Sequence, residues 1–151
     1  HHRIAADTLE RFLGKKRIPS GGPHGAAGPP AVLIVDDDPA VHEAVVRRLG
    51  EEEFRFESAF DGFEAGVKVA LNRPALVILD IFMPGLDGFA VCRMIRRNPD
   101  LAATRILAVT GYDAPQTRKR VLDCGADAYR AKPIGREALR AKVKALLTET
   151  A

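Results

Sequence analysis

The stretch Ala75-Leu-Val-Ile-Leu-Asp-Ile-Phe-Met-Pro-Gly-Leu-Asp-Gly-Phe89 decides how the rest of the chain reads. Residues 75–79 are apolar without alternation, and the run stops at Asp80. An unbroken run of that kind, rich in Val, Ile and Leu, predicts a strand buried on both faces, as in a parallel sheet. A carboxylate at the C-terminal end of such a strand stands where open α/β sheets bind ligands. Met83-Pro84-Gly85 forces a turn, because Pro fixes φ and Gly accepts positive φ. Asp87-Gly88 then leads into a helix with Phe89, Val91, Cys92 and Ile95 as its apolar positions. Asp80 is thus expected on a rigid strand, facing a loop-lined crevice.

Strand and helix patterns alternate on both sides of this stretch. Ala31–Val35 is an apolar strand ending in Asp36-Asp37-Asp38. Pro39–Leu49 follows as a helix with Val41, Ala44, Val45 and Leu49 inward and Gly50 closing it. Residues 54–59 alternate apolar or small with charged, the pattern of a strand nearer the sheet edge. Further helices are expected over 63–71, about 86–97, 115–124 and about 135–147, and further strands over 105–109 and 128–131. Such alternation with short loops predicts a parallel sheet covered by helices on both faces.

With 151 residues, 46% of them hydrophobic, the chain can build one domain with a proper core and some extra length. The net charge of +3 is unevenly placed. Arg3, Arg11, Lys15, Lys16 and Arg17 face only Asp7 and Glu10 in the first 30 residues, while residues 31–151 hold equal numbers of basic and acidic residues. The basic balance therefore belongs to an N-terminal extension. Residues 5–14 there read as a short helix with Leu9, Phe12 and Leu13 on one face, too short to be stable alone. Residues 18–30 are rich in Gly and Pro and read as a linker. The division expected is a remnant domain, or a tag plus helix, over 1–17, a linker over 18–30, and a folded domain over 31–151. Cys92 and Cys124 cannot make a disulfide framework, no CxxC occurs, and Cys92 on an apolar helix face reads as packing. No apolar stretch has the length of a membrane span and no signal-peptide core is present. A soluble, reducing, cytoplasmic setting without membrane contact is the expectation.

Polar residues close the strands: Asp36 and Asp37 the first, Asp80 the third, Thr110 the fourth, with Lys132 after the fifth. Parallel strands bring these ends together. Neighbouring carboxylates raise one another's pKa unless a cation joins them, and Mg²⁺ suits all-oxygen ligands. With Lys132 as a mobile cation and Thr110 as a hydroxyl donor, the set suits a phosphoryl group carried on a carboxylate, Asp80.

At this point a family resemblance becomes specific. The segments 31–39 (Ala-Val-Leu-Ile-Val-Asp-Asp-Asp-Pro), 79–88 (Leu-Asp-Ile-Phe-Met-Pro-Gly-Leu-Asp-Gly), 108–111 (Ala-Val-Thr-Gly) and 125–133 (Gly-Ala-Asp-Ala-Tyr-Arg-Ala-Lys-Pro) together resemble the receiver domain of two-component response regulators. The match runs from residue 31 to about 148, with intervals of 43 from Asp37 to Asp80, 30 to Thr110 and 22 to Lys132. The resemblance implies a flavodoxin-like (βα)5 doubly wound α/β fold with strand order 2-1-3-4-5. It also implies that Asp80 accepts a phosphoryl group from a histidine kinase or phosphotransfer protein. Asp37, Asp80 and the backbone carbonyl of Phe82 would ligate Mg²⁺, with Asp36 acting mainly through water. Lys132 and Thr110 would bind phosphoryl oxygens, Tyr129 would be the aromatic switch that turns inward as Thr110 moves, and the Lys132–Pro133 bond would be cis. The protein would then be a signalling switch rather than an enzyme, its readout surface or homodimer interface formed by the fourth helix, fifth strand and fifth helix. Gly111 leaves phosphoryl access open. Phe82 and Tyr112 are bulky and offer no amide or carboxylate to position an attacking water, so slow autodephosphorylation is expected.

Plainer roles are expected for other residues. Asp38 and Asp87 read as helix caps, Arg118-Lys119-Arg120 as a solvated helix face, and His24 and His42 as inert. Two other classes use similar residues. A receiver-like interaction scaffold working without phosphorylation would show the loss of an acidic residue or the lysine, and none is lost. A haloacid-dehalogenase-type phosphatase expects Thr or Ser soon after the first acidic motif and a cap domain, and neither is found. Residues 1–13 are similar to the tail of excisionase-like winged helix-turn-helix domains. That similarity implies a DNA-binding parent protein that controls transcription, with DNA contacted only through the missing N-terminal part. The other reading is tag residues plus an amphipathic helix.

Overall fold

Alternating side chains on each strand decide how the layers form. The computed structural model describes residues 28–85 and 87–148. Strands β1 (Ala31–Val35), β2 (Arg55–Ala59), β3 (Leu76–Asp80), β4 (Arg105–Thr110) and β5 (Ala128–Ala131) form one parallel sheet in the order β2-β1-β3-β4-β5. Helices α1 (Pro39–Leu49), α2 (Gly62–Asn72), α3 (Gly88–Arg97), α4 (Pro115–Asp123) and α5 (Arg136–Thr148) follow the strands in turn, with a short 3₁₀ turn at Pro99–Leu101. Val32 and Ile34 of β1 face α1 and α5, in a cluster with Val45, Leu49, Ile78, Leu139, Val143 and Leu146. Leu33 and Val35 face the other way, into Ala65, Val69, Phe89, Val91, Ile95 and Val121 of α2, α3 and α4. The fold is flavodoxin-like, with β3 in the centre and all five of its residues buried.

Local chemistry fixes the element ends. Asp38 caps α1 by accepting from Ala40 N at 2.9 Å, with Pro39 at the first helical position. Asp61 and Asp87 cap α2 and α3 in the same manner, accepting from Glu64 N at 2.7 Å and Ala90 N at 3.0 Å. Gly50 ends α1 at φ 95°, a conformation that favours glycine. The third helix starts at Gly88, two residues later than the pattern from residue 86 suggests, because Asp87 is its cap. Cys92 is 1% exposed and packs in the core. The helix expected over residues 5–14 and residues 18–27 of the expected linker lie outside the described residues. Pro29 and Pro30, just before β1, accept hydrogen bonds from Arg55. No described helix is long and apolar enough to cross a membrane.

Candidate functional site

Because the strands are parallel, β1 and β3 end side by side, and the acids at those ends meet. Carboxylate oxygens of Asp36, Asp37 and Asp80 lie within 4.8 Å of one another, Asp37 exposed and the other two buried. Lys132 comes from the loop after β5 and sets its ammonium 2.8 Å from Asp36 Oδ2 and 3.6 Å from Asp80 Oδ2. Its bond to Pro133 is cis. The remaining oxygens are held by the backbone: Asp38 N donates to Asp36 Oδ1 at 2.9 Å and Phe82 N to Asp80 Oδ1 at 3.3 Å.

The electrostatics follow from that crowding. Burial, and next the Asp36 charge, push the Asp80 carboxyl up to about 6, with Lys132 opposing. Burial works against the Lys132 ammonium, but the Asp36 and Asp80 carboxylates outweigh it and hold its pKa above the usual lysine value. The site therefore carries more negative charge than its resident cation balances. All three side chains offer hard oxygen ligands, so the cluster fits a small divalent cation such as Mg²⁺.

Thr110 and Tyr129 line the next two strands. Thr110 is fully buried, and its hydroxyl accepts from Tyr112 N at 3.0 Å and donates to Tyr112 O at 3.3 Å. Tyr129 is also buried; its hydroxyl donates to Asp113 Oδ1 at 2.9 Å, and the Arg118 guanidinium stands 5.3 Å over its ring. Tyr129 is therefore inward while the Thr110 hydroxyl is engaged with the loop that follows β4. Phe82 and Tyr112 are exposed rings that meet edge to face at 6.0 Å. Gly111 has open space around it.

His42 is not inert. It is buried on α1, and its Nε2 donates to the Asp36 carbonyl oxygen at 2.7 Å. A carbonyl only accepts, so Nε2 carries a proton, while Nδ1 shares a hydrogen bond with the Ser58 hydroxyl at 2.8 Å. The ring also stacks on Phe60, with centroids 4.3 Å apart. Its role is to bond backbone beside the acids. Its helical spacing with Val45 and Leu49 is the signal that places it on the inward face. Asp113, the partner of Tyr129, carries no such signal. His24 lies outside the described residues.

Known proteins share this architecture. The family model described as response regulator receiver domain matches residues 32–144. The response regulator MprA of Mycobacterium sp. (strain KMS) is 44% identical over 122 residues, which cover 81% of this chain and 52% of that protein. The MprA of Mycobacterium ulcerans is 43% identical over 119 residues, covering 79% and 50%. The chain thus spans about half the length of the curated relatives it matches. Among solved structures, a response regulator from Chloroflexus aurantiacus superposes with a TM-score of 0.75 at 32% identity, covering 80% of this chain and 98% of that one. The Vibrio cholerae chemotaxis protein CheY4 gives 0.74 at 29% identity, covering 80% and 100%. The domain that places three carboxylates and a lysine at the ends of its parallel strands belongs to the response regulator receiver family of two-component systems.

Proposed function

We propose that the domain is a phosphorylation-dependent switch in which Asp80 accepts a phosphoryl group from a histidine kinase or phosphotransfer protein, with Mg²⁺ at the acid cluster. The observation that carries this reading is the convergence of Asp36, Asp37, Asp80 and Lys132 at the C-terminal ends of the strands. Asp37, Asp80 and the Phe82 carbonyl would hold the cation, with Asp36 acting through water. When bound, the cation supplies positive charge for the oxygens of the transferred group. A carboxylate oxygen of Asp80 attacks phosphorus as the donor bond breaks, giving an acyl phosphate. Lys132 exchanges its Asp36 contact for a phosphoryl oxygen, and the Thr110 hydroxyl leaves Tyr112 to bond another. Tyr129 and the loop carrying Asp113 adjust to that movement, and α4, β5 and α5 form the surface that a partner or a second copy reads.

An apolar cleft of about 150 Å³, lined in part by Val41, Val45 and Ile134, opens beside Asp36 and Lys132 and supports a donor resting there. Phe82 and Tyr112 offer no amide or carboxylate to orient an attacking water molecule, which supports slow autodephosphorylation. Control of transcription would be exerted through a part of the protein outside residues 31–151, in keeping with the excisionase-like pattern of residues 1–13. The test is intact mass after incubation with acetyl phosphate and Mg²⁺. The expected result is a gain of one phosphate that is absent in Asp80→Asn; an equal gain in both proteins, or none in either, rejects the reading.

A further inference from the structure

The acid cluster leaves a second charged feature unused, a groove on the opposite-charge side of the ledger between α3 and α4. It has a volume of about 320 Å³ and is lined by Arg93, Arg96, Arg97, Arg120, Asp123 and Cys124. Arg96 is committed to the fold, donating to Gly125 O, Thr104 O and Asp127 Oδ2, each at 2.8 Å. Asp123 is paired with Lys119 at 3.2 Å. Arg93 donates to Cys124 Sγ at 3.4 Å, and thiol sulfur is a weak acceptor. Arg120 lays its guanidinium 3.8 Å over the Phe89 ring. Stacking fixes the plane of a guanidinium while leaving its N–H edge open for a planar anion. Among the described residues no carboxylate lies within 4.0 Å of Arg93, Arg97 or Arg120.

We propose that this groove is a docking site for an acidic segment of a protein partner, whose carboxylates bind Arg93, Arg97 and Arg120. Charge complementarity selects the occupant. The basic run of α4 does not form a stripe along which a phosphodiester backbone could lie. Its members diverge: Arg118 turns to Tyr129, Lys119 to Asp123, and only Arg120 faces the groove. A concave site with two or three open guanidiniums suits a few side-chain carboxylates. This site is separate from the acid cluster and does not require that Asp80 be phosphorylated.

The experiment is fluorescence anisotropy of a labelled peptide of alternating Glu and Gly, titrated with the full chain. Saturable binding that weakens with added salt is expected. The Arg93→Gln/Arg97→Gln variant should bind about tenfold more weakly. A control of equal charge change, Arg47→Gln/Lys144→Gln on exposed positions of α1 and α5, should bind like the wild type. Thermal melts check that both variants fold. Absence of peptide binding, or equal losses in the two variants, overturns the proposal. So does groove-dependent binding of a single-stranded oligonucleotide in preference to the peptide, which would make the occupant a nucleic acid.

Discussion

His42 donates through Nε2 to the backbone carbonyl of Asp36, 2.7 Å away, and so ties α1 to the residue that follows β1. Replacing it with Ala leaves that buried carbonyl and the Ser58 hydroxyl without their partner and opens a void against Phe60. The expected loss is about 2–4 kcal/mol in urea unfolding. Mg²⁺ titration should show several-fold weaker binding, because the Asp36 backbone loses its anchor. Unchanged metal binding with lost stability would confine His42 to packing.

Metal-free stability should depend on pH through Asp80. Its ordinary value is 3.8 and its folded value about 6, so between the two the folded protein holds the proton more tightly than the unfolded chain. Stability from this group therefore falls as pH rises through that window and is lowest above it, by on the order of 2–3 kcal/mol. Asp80→Asn should raise the unfolding free energy in chelator at about pH 7.5 and leave it unchanged at about pH 3.5. A variant less stable than wild type at the higher pH would contradict the sign.

Lys132→Ala acts in the other direction. It leaves the buried Asp36 carboxylate without the ammonium 2.8 Å away and lets Asp36 and Asp80 repel each other. Loss of one partner of a buried pair costs roughly 3–5 kcal/mol, here reduced because the lysine is partly exposed. Mass spectrometry after acetyl phosphate treatment should show little or no adduct while Mg²⁺ still binds.

Gly88 and Gly111 make a matched pair. A Cβ at Gly88 would stand 2.6 Å from both the Asp80 carbonyl oxygen and Ile81 Cα, backbone atoms that cannot move without displacing the end of β3. Gly88→Ala should cost about 2–3 kcal/mol and slow phosphorylation of Asp80. Gly111→Ala, with nothing within 4 Å of its Cβ, should be tolerated in chemical denaturation.

The centre of the sheet was legible because β1, β3 and most of β4 are apolar runs closed by polar residues, and Leu76–Asp80 needs no tertiary context to be read as central. The polar residues that end these strands were legible for the same reason: a carboxylate after such a run has few reasons to be there. What the pattern did not disclose depends on atoms far apart in the chain. The bond between Tyr129 and Asp113 spans 16 residues, and the contacts of Arg96 with Gly125 and Asp127 span 29 and 31. Neither leaves a periodicity. The Arg118-Lys119-Arg120 run reads as one basic face, yet helical geometry sends its members to three different neighbours.

Strand β3 is flanked by β1 and β4 and covered by helices on both faces, so its amides belong to the part of the domain that opens last. Hydrogen exchange there should require global unfolding rather than local breathing. Asp80 is consequently fixed as durably as the fold itself, and a mark placed on it would fade at the rate of its own hydrolysis, unaffected by fraying at the sheet's edges.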